Sequence, residues 1–216
     1  MSIESGISAP AELAFAAVAA STLYLGQLPQ LFKSPALVLR IGLAAIFFAL
    51  IVQAFPMHVG PAELHFIGAM PIYPTFGFIP ILFGFAIGLL RQGALFEPQD
   101  LVHWAVNSLS LAVPLIVLLY SFGRKISQVN VATIMKLDAY YYCGVTLLAG
   151  FWLFITNQAT PLVEWLHFSS SYLILVAMQP VSMMAIFLFI QRYYHTNLAN
   201  KYCVNSSMRL KTAGSV

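Results

Sequence analysis

The sequence predicts an all-α integral membrane protein, a bundle of about seven transmembrane helices whose N-terminus lies outside and whose C-terminus lies inside. The composition supports this fold class, because 60% of the 216 residues are apolar and only 8% are charged. A typical soluble chain has about 45–50% apolar and about 25% charged residues. Ten basic and seven acidic residues are too few to cover a soluble globule, which excludes a soluble enzyme, a disordered protein and a nucleic-acid-binding protein.

Apolar runs along the chain predict the individual helices. A hydrocarbon core of about 30 Å needs roughly 20 apolar residues in a helix. Runs of about this length lie at Pro10–Leu28, Ala36–Phe55, Leu101–Phe122, Ala139–Asn157 and Ser169–Gln191. Each of these five runs is expected to form one membrane span.

The apolar stretch His65–Leu90 permits two interpretations. It is interrupted by Pro71, Pro74, Gly77 and Pro80, and each internal proline removes a backbone hydrogen bond and favours a break. The stretch forms either one kinked span or a hairpin of two short helices. Hairpin helices of about 13 residues would reach only about 20 Å, so they would have to lie among neighbouring helices or where the protein thins the bilayer.

The distribution of positive charge favours the hairpin. With seven spans and an outer N-terminus, the inner side holds nine of the ten basic residues and the outer side only Arg91. The nine are Lys33, Arg40, Arg124, Lys125, Lys136, Arg192, Lys201, Arg209 and Lys211. A single kinked span would place at best seven basic residues on one side of the membrane and three on the other. The positive-inside rule favours the topology with the larger difference. We therefore predict seven spans.

The same topology gathers most histidines on the outer side. In one outer loop, Met57-His58 is followed by Glu63 and His65. Imidazole and carboxylate groups together suit divalent transition metals, so this loop is a candidate metal site. The alternative interpretation is a set of interfacial residues hydrogen-bonded to loop carbonyls.

A second polar group lies on one predicted helix. His103, Asn107 and Ser110 are spaced i, i+4 and i+7, so they share a helix face. Polar groups in a membrane helix are costly unless they find partners inside the bundle. The face serves either for hydrogen bonds between helices or as the wall of a substrate cavity. No P-loop, GxSxG, HExxH or glycine-rich dinucleotide motif is present, and we expect no enzymatic activity.

Three motifs are in the same order and register as those of a known family. The chain starts Met1–Gly6 with Pro10 following, then has Phe55-Pro56 before Glu63–Phe66 and Gly68-Ala69. The third motif is Leu95-Phe96, a polar turn over 97–100, and Asn107. Over residues 1–121 the chain thus resembles the CbiM/NikM family, cobalt/nickel substrate-binding membrane subunits of energy-coupling-factor (ECF) transporters, and this implies an S-component-like bundle of seven helices with an outer N-terminus.

The resemblance also implies a metal site for Co(II) or Ni(II). The family's ligands are the terminal amine, the amide nitrogen and imidazole of a histidine at position 2, and a loop histidine. By position these correspond to Met1, Ser2 and His65, but Ser2 has no imidazole. The site is therefore either rebuilt or lost. His58, Glu63 and His103 are the candidates for rebuilding it, and Asn107 is expected to join His103 in contacting or bracing the bound ligand.

The function implied is that of the substrate-binding (permease) subunit of an ECF-type ABC transporter. Such a subunit needs a membrane coupling subunit and ATPase subunits, and it resides in a bacterial-type inner (plasma) membrane as a multi-pass protein. The expected organisation is one transmembrane domain at 1–192, with an N-terminal ligand segment at 1–9, and a polar cytoplasmic tail at 193–216. The alternative is a non-transporting accessory or structural subunit of a larger membrane protein complex. We expect lipid as a partner, no nucleic acid, and no cofactor besides the transported metal.

Overall fold

A computed structural model shows a helical bundle with a small β-sheet. It describes residues 2–3, 10–32, 34–54, 56–59, 62–65, 69, 73, 76–96, 98–123, 131–155, 162–163, 165–167, 169–171, 173 and 177. The α-helices in these ranges are α1 Pro10–Leu31, α2 Pro35–Ala54, α3 Phe78–Leu95, α4 Trp104–Leu118 and α5 Val131–Ile155. A 3₁₀ helix, Pro98–His103, leads into α4, and a π-helical turn, Leu119–Gly123, follows it.

Four segments of the described chain are long and apolar enough to cross a membrane, at Pro10–Leu31, Pro35–Val52, Phe78–Leu95 and Leu101–Phe122. Three of them agree with predicted spans, which confirms a multi-pass helical membrane protein. The predicted span Ala139–Asn157 overlaps α5, but this helix begins eight residues earlier, at Val131. The predicted span Ser169–Gln191 and the tail at 193–216 lie largely outside the described residues. The number of spans and their orientation stay predictions.

Helices α2 and α3 pack closely through small residues. A Cβ atom added at Gly84 would lie 2.9 Å from the Cβ of Ala44, and one added at Gly88 would overlap the ring of Phe48. The two glycines are four residues apart, the spacing that lets membrane helices approach closely. Because position 84 faces 44 and position 88 faces 48, the two helices run parallel.

The parallel arrangement bears on the ambiguous stretch at His65–Leu90. Parallel directions of α2 and α3 agree with the hairpin interpretation, in which the chain crosses the membrane once between them. The break before α3 lies at Gly77, which has φ 93° and ψ 175°, a region that is essentially limited to glycine. The Gly77 N–H closes a turn onto the Tyr73 carbonyl oxygen at 2.9 Å.

Pro80 does not interrupt the helix, contrary to the sequence prediction. It is the third residue of α3, where a backbone N–H would have no partner within the helix. The helix therefore continues for 18 residues, or about 27 Å, instead of the expected 13 or so. Its length is enough to cross a hydrocarbon core.

Aromatic residues join α1, α3 and α4 in the core. The Trp104 Nε1–H donates to the Ala86 carbonyl oxygen at 2.8 Å. The Tyr24 ring lies 5.6 Å from the Phe83 ring and 6.1 Å from the Trp104 ring, centroid to centroid. On the other side of α4, a Cβ at Gly144 of α5 would lie 2.8 Å from the Cβ of Pro114. These contacts make α4 the central helix of the described bundle.

The described residues also form a small sheet, which the all-α prediction did not contain. Its strands are β1 Ser2–Ile3, β2 Pro56–Val59 and β3 Ala62–His65, arranged in the order β1-β3-β2. Both pairings are antiparallel, and Val59 opposes Ala62 across a two-residue connection. The sheet thus joins the N-terminal segment to the loop that follows α2.

Candidate metal site at the N-terminal sheet

The register of the sheet aligns three of the predicted site residues. Glu63 on the central strand opposes Ser2 of β1 on one side and His58 of β2 on the other. Directly opposed residues of an antiparallel pair lie on the same face of a sheet. Ser2, Glu63 and His58 therefore form one row across the sheet, and with neighbouring strands about 4.8 Å apart the row is about 10 Å wide.

His65 joins this row on the same face. It lies two residues after Glu63 on β3, and residues i and i+2 of a strand share a face. The opposite face carries apolar positions, namely Ile3, Met57, Val59, Ala62 and Leu64. A shift of the register by one residue would mix the two sets. The pairing thus collects Ser2, His58, Glu63 and His65 on one polar face, which is called the polar face below.

The chemistry of the polar face suits a divalent transition metal, since imidazole and carboxylate are ligands for such ions. Among the residues that the structure describes, no three His, Cys, Asp or Glu side chains form a closed metal-ion cluster. The predicted ligand set adds backbone and terminal nitrogen atoms to these side chains. Met1, whose amine is predicted to be one of them, lies outside the described residues and directly precedes Ser2.

The 3₁₀ helix is close to the N-terminal strand. Cα atoms of β1 come within 8 Å of Cα atoms of the 3₁₀ helix, which ends at His103. His103 is only 1% exposed and Asn107, one turn further along, is 3% exposed. The polar helix face predicted from the spacing is thus buried in the bundle, with its first residue at the end of an element that contacts β1.

Asn107 and Ser110, two residues of that helix face, differ in their hydrogen bonds. The Ser110 hydroxyl donates to the Val106 carbonyl oxygen of its own helix at 2.9 Å. The Oδ1 atom of Asn107 is buried and receives no hydrogen bond from the described part of the chain. Ser110 therefore has a structural partner, whereas Asn107 presents an acceptor for a group that the described residues do not supply.

Gln92 and Asp138 are buried polar residues that the sequence alone did not single out. Gln92 of α3 is 6% exposed, and its Oε1 atom likewise receives no hydrogen bond within the described ranges. Asp138 of α5 is fully buried, although it lies just before the predicted span, which begins at Ala139. The spacing of Asp138 to Tyr141 and Tyr142, i+3 and i+4, would have placed it on the buried stripe of a longer helix.

His167 is the remaining histidine that the sequence predicts to lie outside. It is exposed, and its carbonyl oxygen accepts hydrogen bonds from the hydroxyls of Ser170 at 2.8 Å and Ser171 at 2.9 Å. Nearby, the Trp165 Nε1–H donates to the Thr146 carbonyl oxygen of α5 at 3.1 Å. His167 is therefore part of a local helical turn.

The chain is similar to known proteins in sequence and in fold. A family model described as "CbiM: Cobalt uptake substrate-specific transmembrane region" matches residues 3–196. A crystal structure of a transition metal transporter is similar in fold, with a TM-score of 0.65 and 20% sequence identity, over 94% of this chain and 97% of that chain. No curated protein matches by sequence. Since the family model covers nearly the whole chain, the protein belongs to the CbiM family of cobalt uptake transmembrane components.

Proposed function

We infer that the chain is the substrate-binding subunit of an ECF-type transporter and that it captures Co(II) or Ni(II) at the polar face. The observation that carries this inference is the register of the sheet, which aligns Ser2 with Glu63 and His58. In a chain of a cobalt uptake family, this row of donors beside the N-terminus is the part of the molecule whose chemistry suits the cargo.

The proposed ligands are the terminal amine at Met1, the backbone nitrogen of Ser2, and the imidazole of His65, with His58 and Glu63 as additional donors. A serine hydroxyl is a poor substitute for imidazole at position 2. The row compensates for the missing imidazole, because Glu63 is the direct neighbour of Ser2 and would bring a negative charge toward a divalent cation. We therefore favour a rebuilt site over a lost one.

Transport would follow capture by reorientation of this subunit within its membrane complex. The sequence contains no nucleotide-binding motif, so ATP hydrolysis would be supplied by ATPase subunits acting through a membrane coupling subunit. The nine-to-one charge distribution favours an outer polar face and a cytoplasmic tail at 193–216. In this arrangement, residues 1–192 are one transmembrane domain in a bacterial-type inner membrane, with 1–9 as the ligand segment.

A second candidate function is that of a non-transporting subunit of another membrane complex. Ser2 favours it, because a site without the imidazole at this position could have lost its metal. Exposed apolar residues of α1, such as Phe15 at 60% and Val18 at 68%, provide a surface for lipid or for a partner helix in either case.

Two measurements separate these functions. Calorimetric titration of the purified chain with Ni(II) and Co(II) should show one ion bound per chain, and Ser2→His should raise the affinity because it adds an imidazole beside Glu63. Mild-detergent purification from native membranes should recover ATPase subunits. A chain that binds neither ion and co-purifies with a complex free of ATPases would support the accessory function instead.

A further inference from the structure

We propose that His103 is an inner ligand of the metal site, binding the captured ion from the bundle side of the N-terminal strand. The juxtaposition that carries this proposal is the contact between β1 and the 3₁₀ helix that ends at His103. The proposal rests on the function inferred above, since it names a further ligand for the same ion.

The backbone at His103 is held in place on both sides. Two residues earlier, Leu101 packs against Gly93 of α3, where an added Cβ would lie 2.7 Å from the Leu101 Cδ2 atom. One residue later, Trp104 donates its 2.8 Å hydrogen bond to the Ala86 carbonyl oxygen. His103 is therefore fixed relative to α3 as well as α4, and a ligand held on rigid elements needs little reorganisation to bind an ion.

His103 is buried inside the helix bundle. At 1% exposure the side chain has contact with neither lipid nor bulk water, and polar groups inside a membrane bundle mark substrate sites and pathways. Asn107 lies one turn deeper, and its Oδ1 atom receives no hydrogen bond from the described residues. An imidazole nitrogen and an amide oxygen four residues apart, about one helical turn, would suit a cation and one of its bound water molecules.

The ligand chemistry agrees with that of the polar face. Neutral imidazole is the commonest protein ligand for transition metals. His103 would bring an imidazole to the strand that carries Ser2, the position in the row that has no strong side-chain donor. Because the ion would then bridge β1 and the helix bundle, metal binding would fix the N-terminal strand onto the 3₁₀ helix. Asn107 acts here as a positioning residue, through its hydrogen bond to water on the ion.

The test is a Ni(II) titration of the full chain in detergent, compared with His103→Gln and with Ser110→Ala as a matched control. Ser110 is also buried on α4, but its hydroxyl is bonded within its own helix. We expect His103→Gln to weaken Ni(II) binding at least tenfold, and Ser110→Ala to leave it unchanged. Wild-type affinity in His103→Gln would overturn the proposal.

A spectroscopic readout separates a ligand from a structural residue. The X-ray absorption spectrum of the Co(II)-loaded protein should show one imidazole fewer in His103→Gln than in the unmodified chain. A weaker affinity with an unchanged number of imidazoles would make His103 structural and overturn the proposal. If His103→Gln does not fold, NMR of the unmodified protein with ¹⁵N-labelled histidine rings replaces the variant. Bound Co(II) should shift the ring signals of His103 and leave those of His167 in place. Unshifted His103 signals would overturn it.

A third variant, His65→Ala, distinguishes failure of this proposal from failure of the function it rests on. Loss of binding in His65→Ala with normal binding in His103→Gln would keep the metal site and remove His103 from it. Absence of Ni(II) and Co(II) binding by the unmodified chain would overturn both.

Discussion

The sheet at the N-terminus and the contact between α2 and α3 are built on opposite principles. The helix contact depends on missing side chains, because Gly84 and Gly88 leave room for Ala44 and Phe48. The sheet depends on side chains that are present, since its register gathers Ser2, His58, Glu63 and His65 on one face. The first arrangement should provide stability that is independent of metal, and the second would provide the proposed ligands on an element too small to be stable alone. Substitutions should therefore affect stability and metal binding separately.

The largest effect on stability is expected at Gly88. An added Cβ would overlap the Phe48 ring, so Gly88→Ala has to move the ring or separate the helices, at a cost of about 1–3 kcal/mol. Gly42→Ala is the matched control, because nothing lies within 4 Å of its added Cβ and alanine favours a helix interior by about 1 kcal/mol over glycine.

Thermal unfolding of the two variants in detergent measures this difference. We expect the melting temperature to fall for Gly88→Ala and to be unchanged or higher for Gly42→Ala. Equal melting temperatures would mean that the parallel contact of α2 and α3 is looser than the structure indicates.

A smaller loss of stability is expected at Trp104. Trp104→Phe keeps an aromatic ring near Tyr24 but removes the hydrogen bond to the Ala86 carbonyl oxygen. The expected cost is about 1 kcal/mol, measured as a lower melting temperature of the metal-free protein. A change of more than about 3 kcal/mol would exceed one hydrogen bond and would show that the indole packing itself is responsible.

The smallest effect on the bundle is expected from a disulfide across the sheet. Ser2→Cys with Glu63→Cys should crosslink on mild oxidation, because directly opposed residues of an antiparallel pair have Cα atoms about 4.5–5.5 Å apart, within the disulfide range. The melting temperature of the helices should hardly change. The control pair, Ser2→Cys with Leu64→Cys, lies on opposite faces and should not crosslink. Equal crosslinking of both pairs would contradict the register.

The helices could be predicted from the sequence because their apolar runs are long. The predicted spans Pro10–Leu28 and Ala36–Phe55 agree with α1 and α2 to within three residues at each end. The start of α5 was missed because Lys136 and Asp138 interrupt the apolar run, although Asp138 is buried. Composition gives only the average polarity of a segment. Whether one residue is buried depends on which face of the helix it lies on.

The sheet could not be predicted in this way. Strands of two and four residues are too short to show an alternating pattern, and the pairing of Ser2 with Glu63 joins positions that are far apart in the chain. The residue types that suit a metal were recognisable from the sequence, as was the family that the chain resembles. Their alignment in one row follows only from the register.

The most direct test of the account is a Ni(II) titration of the unmodified chain and of His65→Ala, with His167→Ala as the control. We expect the unmodified chain and His167→Ala to bind one ion with equal affinity, and His65→Ala to bind at least tenfold more weakly, a loss of about 1.4 kcal/mol. The melting temperature of metal-free His65→Ala should stay within a change of about 0.5 kcal/mol in stability, because the residue lies on the sheet and not among the packed helices. Normal Ni(II) binding by His65→Ala would contradict a metal site on the polar face.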